Sequence, residues 1–407
     1  MALPLLVSKH PSRWIAYLAI ASGVVAAMHI GKMAPAIPVL QATLDVTLVQ
    51  AGFLLSAISF AGMSVGMLVG LFADGIGLKR CLVLGQLLLA LAGLGGATSN
   101  SPEALLLWRG IEGAGFLMSA LPAPSLIRRL VEPSRLSLYL GWWGAYMPIG
   151  TATAMLVGAA VLAAVNWEGL WLGLAGVSAL MSGLLWRFLP PDSRTTEANT
   201  AFWSLWAAKL VTTLKTPGVR RVALAFGCYS TQWITVIGFL PSVYAQAGIG
   251  GAQAGILTGL ASLANMTGNV ASGRLLHRGW RYETLLSMGF VTMAAATWVA
   301  FQAGEQVSFA WRYGAVVCFS AVGGCIPGAL FSLGVRLAPS DEMVATSMGF
   351  VQQCMAAGQF LGPPLVAWAV ATGGGWSASW WVLAAAAAIG LWASVRGSRC
   401  LPPACGR

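Results

Sequence analysis

The chain has 407 residues, 57% of them hydrophobic and 9% charged, with a mean hydropathy of +0.77. That composition excludes a water-soluble enzyme or binding module and describes a chain whose solvent is lipid. The formal net charge of +11 invites a nucleic-acid reading, but the cations are spread along the chain and form no patch, so no nucleic-acid partner is expected.

Apolar segments of about 18 to 25 residues recur, each long enough to cross a hydrocarbon core of roughly 30 Å. Twelve spans are predicted, over 14–38, 49–73, 81–99, 103–127, 136–164 and 168–189, then 219–245, 252–276, 283–303, 307–331, 342–370 and 376–396. Period-two alternation is absent, and lipid forces every backbone group to bond within its own segment, so the spans are read as helices. The expected fold class is therefore all-α, a polytopic membrane protein. The first run follows Lys9 and Arg13 as a signal peptide would, yet it is too long and opens a series of spans, so it is expected to be retained.

With the N-terminus inside, 20 of the 23 Lys and Arg fall on the inner side, all except Lys32, Arg109 and Arg312. The short outer loops carry Asp45, Glu103, Glu168 and Glu305 but no cation. This asymmetry predicts a protein of the bacterial cytoplasmic membrane with an even number of spans and both termini cytoplasmic. The seven cysteines are odd in number and lie in spans or the inner tail, which suits neither a disulfide framework nor a metal site. No cofactor is called for, and the chain is expected to act as a monomer in the bilayer.

Along the chain, charges inside the bilayer mark functional candidates because they are costly to insert. In span 1, "MHIGKMAPAIP" sets His29 one helical turn before Lys32, a pair that grips a small anion or, in the bland reading, a lysine that snorkels to the headgroups beside a packing histidine. After span 2 comes "GLFADGIGLKR", residues 70–80, with Asp74 between Gly70 and Gly77 and the cations Lys79 and Arg80 following. Span 4 holds Arg109 and Glu112 three residues apart, either a self-neutralising structural pair or a buried acid that takes up a proton while a cation competes for its charge. In span 5, Trp142, Trp143 and Tyr146 are aromatic pocket candidates. Residues 190–217 are the longest polar break and divide the chain into 1–189, a linker 190–217 and 218–407; within the linker "FWSLWAAKL" is amphipathic enough to lie on the inner membrane face.

The second half repeats the first. "GRLLHRGWRYE" follows span 8 as "GLFADGIGLKR" follows span 2, offset by 203 positions (273 − 70), so that Gly273 matches Gly70 and His277 matches Asp74. Both copies fall on one side, which predicts parallel six-helix repeats about an axis normal to the membrane. Tyr229, Gln232 and Trp233 in span 7, Asn265 and Asn269 in span 8, and Gln352, Gln353 and Gln359 in span 11 could complete a pocket, although most aromatics are expected in the interfacial belt or in packing. Arg312 follows Trp311 and reads as an interface anchor or a substrate contact.

Two motifs carry a family resemblance. "GLFADGIGLKR" resembles the loop signature of the major facilitator superfamily through Gly70, Ala73, Asp74, Gly77, Lys79 and Arg80, with Phe72 and Leu78 departing from it. Arg109, Gly113 and Gly115 match its R-x-x-x-G-x-G signature in the fourth span. The antiporter signature of the fifth span is incomplete: "GWWGAYMPIGT" keeps Gly144, Pro148 and Gly150 but has Met147 before the proline, while "GQFLGPP" in span 11 matches better. The stretch "MHIGKMAPAIPVL" together with the tryptophan-rich fifth span is similar to the cyanate and nitroimidazole transporter group.

The resemblance implies a central cavity lined by spans 1, 4, 7 and 10 and alternating access by rocking of the two halves. Substrate contacts are then expected from Lys32, His29, Arg109, Tyr146, Gln232, Trp233 and Gln353, proton coupling from Glu112, and a conformational latch from Gly70, Asp74, Gly77, Lys79 and Arg80. No P-loop is present, so an ion gradient and not ATP hydrolysis is the expected energy source, and no enzymatic activity is expected. The three intramembrane cations favour a small organic or inorganic anion moved with protons; efflux of drugs or amphipathic metabolites is the alternative, and a non-transporting sensor a third reading.

Overall fold

The computed structural model describes residues 13–67, 77–132, 139, 142–192, 200–302, 307–340 and 343–400. Among these residues the secondary structure is helical, with no strand. Spans 1 to 6 run over Trp14–Thr43, Leu48–Met67, Leu78–Ala97, Pro102–Leu130, Tyr146–Ala164 and Trp167–Phe188. Span 7 covers Pro217–Gln246, and spans 9 to 12 cover Tyr282–Gln302, Phe309–Arg336, Thr346–Thr372 and Trp376–Ser398. These eleven are long and apolar enough to cross a membrane.

Span 8, Gly251–His277, has 27 residues and so the length to cross, but Gln253, Thr258, Asn265, Asn269 and Arg274 make it too polar to pass on composition. It is covered on both sides, by span 5 and by span 10. Thr258 and Asn265 are buried on the packed faces, where polar side chains are tolerated, while Ile256, Leu260 and Val270 keep the outer face apolar. In the linker, Thr200–Lys215 is a helix of its own.

The helix ends follow local chemistry. Thr47 and Gln50 close span 2 with a reciprocal capping box, Ser101 accepts from Ala104 N at 3.2 Å with Pro102 at the first helical position, and Asn166 accepts from Gly169 N at 2.8 Å. Internal breaks follow proline. Pro35 has no N–H for the Gly31 carbonyl, and span 1 is interrupted there, as Arg13–Gly31 and Met33–Thr43 with Lys32 at the joint. Pro122 and Pro124 break span 4 in the same way, and Pro327 lies just beyond the break in span 10 at Gly324.

Leu91, Leu107, Leu180, Trp311 and Trp381 are exposed although apolar, while charged side chains such as Lys32 and Arg109 are fully buried. This inverted distribution is that of a multi-pass membrane protein whose surface faces lipid. Small residues allow close approach inside: Gly268 of span 8 meets the backbone of span 10, and Gly113 of span 4 meets the Ile58 carbonyl of span 2.

Among the described residues the first six spans touch the last six mainly along three seams, span 1 with 7, span 2 with 11 and span 5 with 8. On the second seam Gly52 lies against Pro363 and Pro364, Ser59 Oγ donates to Gln359 Oε1 at 3.0 Å, and Gln353 Nε2 donates to the Met63 carbonyl at 2.7 Å. On the third, Thr151 and Ser262 join hydroxyls at 3.1 Å, and Gly255 and Gly259 admit Ala159 and Leu156.

Candidate functional site

The joint in span 1 places Lys32 where the helix is interrupted, with His29 one turn before it. Span 4 brings Arg109 and Glu112, which share a face because they are three residues apart. All four side chains are fully buried, and they converge on one carboxylate. Lys32 Nζ donates to Glu112 Oε1 at 2.5 Å, Arg109 Nη1 donates to Glu112 Oε2 at 2.5 Å, and His29 Nδ1 lies 3.2 Å from Oε1.

The remaining hydrogen bonds fix this geometry. Arg109 Nη1 also donates to the His29 carbonyl at 2.7 Å and Nε to the Leu54 carbonyl at 3.0 Å, so one guanidinium ties spans 1, 2 and 4. His29 Nε2 is 2.9 Å from Ser178 Oγ of span 6. A carboxylate oxygen can only accept, so the imidazole proton is assigned to Nδ1, which leaves Nε2 to accept from the serine hydroxyl. Lys32 Nζ sits 4.3 Å from the centre of the Trp171 ring, where the π-face favours a cation.

The charges do not cancel. Among the described residues, Glu112 is the one carboxylate within salt-bridge distance of Lys32 and Arg109, so with the lysine protonated two cations face one anion. Arg109 Nη2 is buried and has no hydrogen-bond partner among the described residues. An uncompensated buried charge costs several kcal/mol after relaxation, and an unpaired buried donor adds about 1–3 kcal/mol. The arrangement is suited to holding a further negative charge or to releasing a proton.

Among the described residues the partners of the cluster come from spans 1, 2, 4 and 6. Lys32, His29 and Arg109 are thus brought together with Glu112, enclosed by the first six spans and not lying between the two sets of six. The other predicted substrate residues lie elsewhere. Trp233 belongs to the core that joins span 7 to Ile30 and Ala34 of span 1. Gln232 is fully buried beside it, and Gln232 Oε1, Trp233 Nε1 and Thr235 Oγ1 all lack partners among the described residues. Gln353 is on the span 2–span 11 seam, and Tyr146 stacks on Trp143 at 4.2 Å between centroids, both against Gly23 of span 1.

Asn265 donates to Tyr229 Oη at 2.9 Å and to the Ser320 carbonyl at 3.1 Å, and Asn269 donates to Asn265 Oδ1 at 2.9 Å. These amides bind spans 7, 8 and 10 to one another. Arg312 donates to the Ala300 carbonyl at 3.0 Å, which gives it a structural partner on span 9.

Of the predicted latch, Gly70 and Asp74 lie outside the described residues. Gly77 has φ +101°, which favours glycine, and precedes span 3. The acid that meets this end is Asp192, which accepts from the backbone N–H of Lys79 at 2.9 Å and of Arg80 at 3.1 Å, while Lys79 Nζ donates to the Leu189 carbonyl at 2.7 Å. A carboxylate at a helix N-terminus is favoured by the unpaired N–H groups there. Sequence reasoning missed Asp192, Trp171 and Ser178; the first has a readable signal as the acid that opens the linker, whereas a lone Trp and Ser in an apolar span have none.

The family model described as "Major Facilitator Superfamily" matches residues 15–363. The 2-nitroimidazole transporter of Escherichia coli (strain K12) is 26% identical over 349 residues, covering 84% of this chain and 85% of that protein. The methylenomycin A resistance protein of Streptomyces coelicolor is 28% identical over 176 residues, which span 42% of this chain and only 36% of that one. Among solved structures, a D-xylose-proton symporter superposes with a TM-score of 0.76 at 17% identity, covering 97% of this chain and 98% of that one. At that identity the likeness is one of fold, and it agrees with the twelve-helix architecture.

Proposed function

This chain belongs to the major facilitator superfamily, and on that premise we propose that it is a proton-coupled secondary transporter of a small organic or inorganic anion. The observation that carries this reading is the buried cluster of Lys32, Arg109, His29 and Glu112, whose positive surplus and unpaired Arg109 Nη2 favour an added anion. Glu112 is the anion on which the coupling turns, because both cations and the imidazole depend on its charge. Its two oxygens are shared between span 1 and span 4, so a change in charge there alters how those two helices are held.

In this reading residues 1–189 and 218–407 form two six-helix halves that rock about a membrane-normal axis. The seams between spans 2 and 11 and between spans 5 and 8 part and close in the process. Both termini face the cytoplasm, on the side favoured by the excess of Lys and Arg. Gly70, Asp74, Gly77, Lys79 and Arg80 form a latch on that side, with Asp192 supporting it from the linker.

Uptake into proteoliposomes, with and without a pH gradient, tests the reading on wild type and Lys32→Ala. The expected result is gradient-stimulated anion flux in wild type and little in the variant; undiminished flux in Lys32→Ala contradicts the role given to the cluster.

Export of uncharged or amphipathic aromatic compounds is a second reading, favoured by the partnerless Gln232 Oε1, Trp233 Nε1 and Thr235 Oγ1 on span 7 and by the names of the relatives. It predicts that expression lowers the cellular content of 2-nitroimidazole or of cationic dyes and that Glu112→Gln removes the effect.

A further inference from the structure

The charge count of the cluster limits which of its members can exchange a proton. Arg109 stays protonated at any relevant pH. Protonating Glu112 would leave Lys32 and Arg109 as two buried cations with no anion, and protonating His29 would set a third cation beside them. Removing one proton from Lys32 acts in the opposite direction. It leaves Arg109 and Glu112 as a matched pair and brings the buried charge to zero, which is the least costly state for groups fully withdrawn from solvent.

Every group facing Lys32 is compatible with that change. From span 1, His29 Nδ1 lies 3.5 Å away with its proton directed to Glu112, so the imidazole adds no charge beside the amine; from span 4, Glu112 Oε1 still accepts an N–H; from span 6, Trp171 offers its ring face to the charged form and Ser178 is engaged by His29. Span 2 contributes the Leu54 carbonyl, which is held by Arg109 Nε and not by Lys32.

We propose that Lys32 carries the transported proton and that the cluster moves one proton with each monovalent anion, without net charge. Protonated Lys32 leaves one surplus positive charge, which a monovalent anion balances, with Arg109 Nη2 as a free donor toward it. On the releasing side one N–H bond of the ammonium breaks, its electron pair stays on Nζ, the proton passes to water and the anion departs. The cluster is neutral both when it holds anion and proton and when it holds neither. This assignment rests on the anion-transport reading above and adds to it the proton carrier and the stoichiometry.

The test uses the full-length protein in proteoliposomes and labelled nitrate, methanesulfonate, benzenesulfonate and trifluoroacetate, anions of strong acids that do not cross the bilayer as neutral acids. With the membrane potential clamped at zero or at an imposed value, wild type is expected to accumulate at least one of them about tenfold per pH unit of gradient, equally at both potentials. Lys32→Arg, which keeps a permanent cation, is expected to lose this accumulation and the pH dependence of anion exchange. Accumulation that responds to potential, or that persists in Lys32→Arg, overturns the inference while leaving anion transport standing. Absence of flux for every anion in wild type overturns the transport reading itself. As a check independent of variant folding, infrared difference spectra of wild type between pH 5 and 9 are expected to show no protonated-carboxyl band that Glu112→Gln removes; such a band would assign the proton to Glu112 and refute the inference.

Discussion

Lys32 Nζ and Glu112 Oε1 meet at 2.5 Å although 80 positions separate them in sequence, and neither side chain reaches solvent. The contact joins the interruption in span 1 to the middle of span 4. Replacing Glu112 by Gln keeps the shape but leaves two buried cations uncompensated, a change that ordinarily costs roughly 3–5 kcal/mol. Thermal unfolding in detergent should therefore show a large fall in Glu112→Gln, partly recovered when Lys32→Met is added. An unchanged unfolding temperature in the single variant would mean that the pair contributes little.

Arg109 tests geometry at constant charge. Its guanidinium reaches Glu112, the His29 carbonyl and the Leu54 carbonyl at once, whereas a lysine presents a single ammonium and cannot bridge all three. Arg109→Lys is expected to lower flux at least tenfold and to leave span 2 less protected from hydrogen exchange around Leu54. Wild-type flux in this variant would show that charge alone suffices.

The seam between spans 2 and 11 depends on the absence of a side chain at Gly52, where a Cβ would stand 2.9 Å from the Pro363 carbonyl oxygen and Pro364 Cα. Backbone there cannot yield as a flexible side chain would. Gly52→Val should hold the two helices apart, slow flux and raise hydrogen exchange over Leu48–Ser56, while Gly110→Val, at a position with open space around it, should do neither. Equal effects at both positions would remove the seam from the account.

Asp192 closes the N-terminus of span 3 through two backbone N–H groups. Asp192→Ala is expected to cost about 1–2 kcal/mol, as loss of a good helix cap does, and Asp192→Asn less. Chemical denaturation in mixed micelles would measure it, and a loss below a few tenths of a kcal/mol would show that Lys79 and Arg80 hold this end unaided.

Much of the fold was legible because lipid imposes a single rule on every span. The predicted 252–276 and 283–303 are found as Gly251–His277 and Tyr282–Gln302. Span 8 shows the limit of composition: its amides are explained by helices packed on both sides, which no window along the chain can display. In the cluster, Arg109 with Glu112 and His29 with Lys32 were readable as one-turn pairs. That the two pairs meet, and that Trp171 and Ser178 of span 6 complete their surroundings, depends on the packing of distant helices. The loop signature was readable as a motif, but Asp192 was not readable as its partner, since 113 positions separate it from Lys79.

The central claim, that anion and proton move together through this cluster, is tested most directly in proteoliposomes loaded with a pH-sensitive dye. On adding the strong-acid anions outside at equal pH, the interior of wild-type vesicles should acidify in step with anion entry, and vesicles with Glu112→Gln should show neither signal. Anion entry into wild-type vesicles with no change in internal pH would contradict the account.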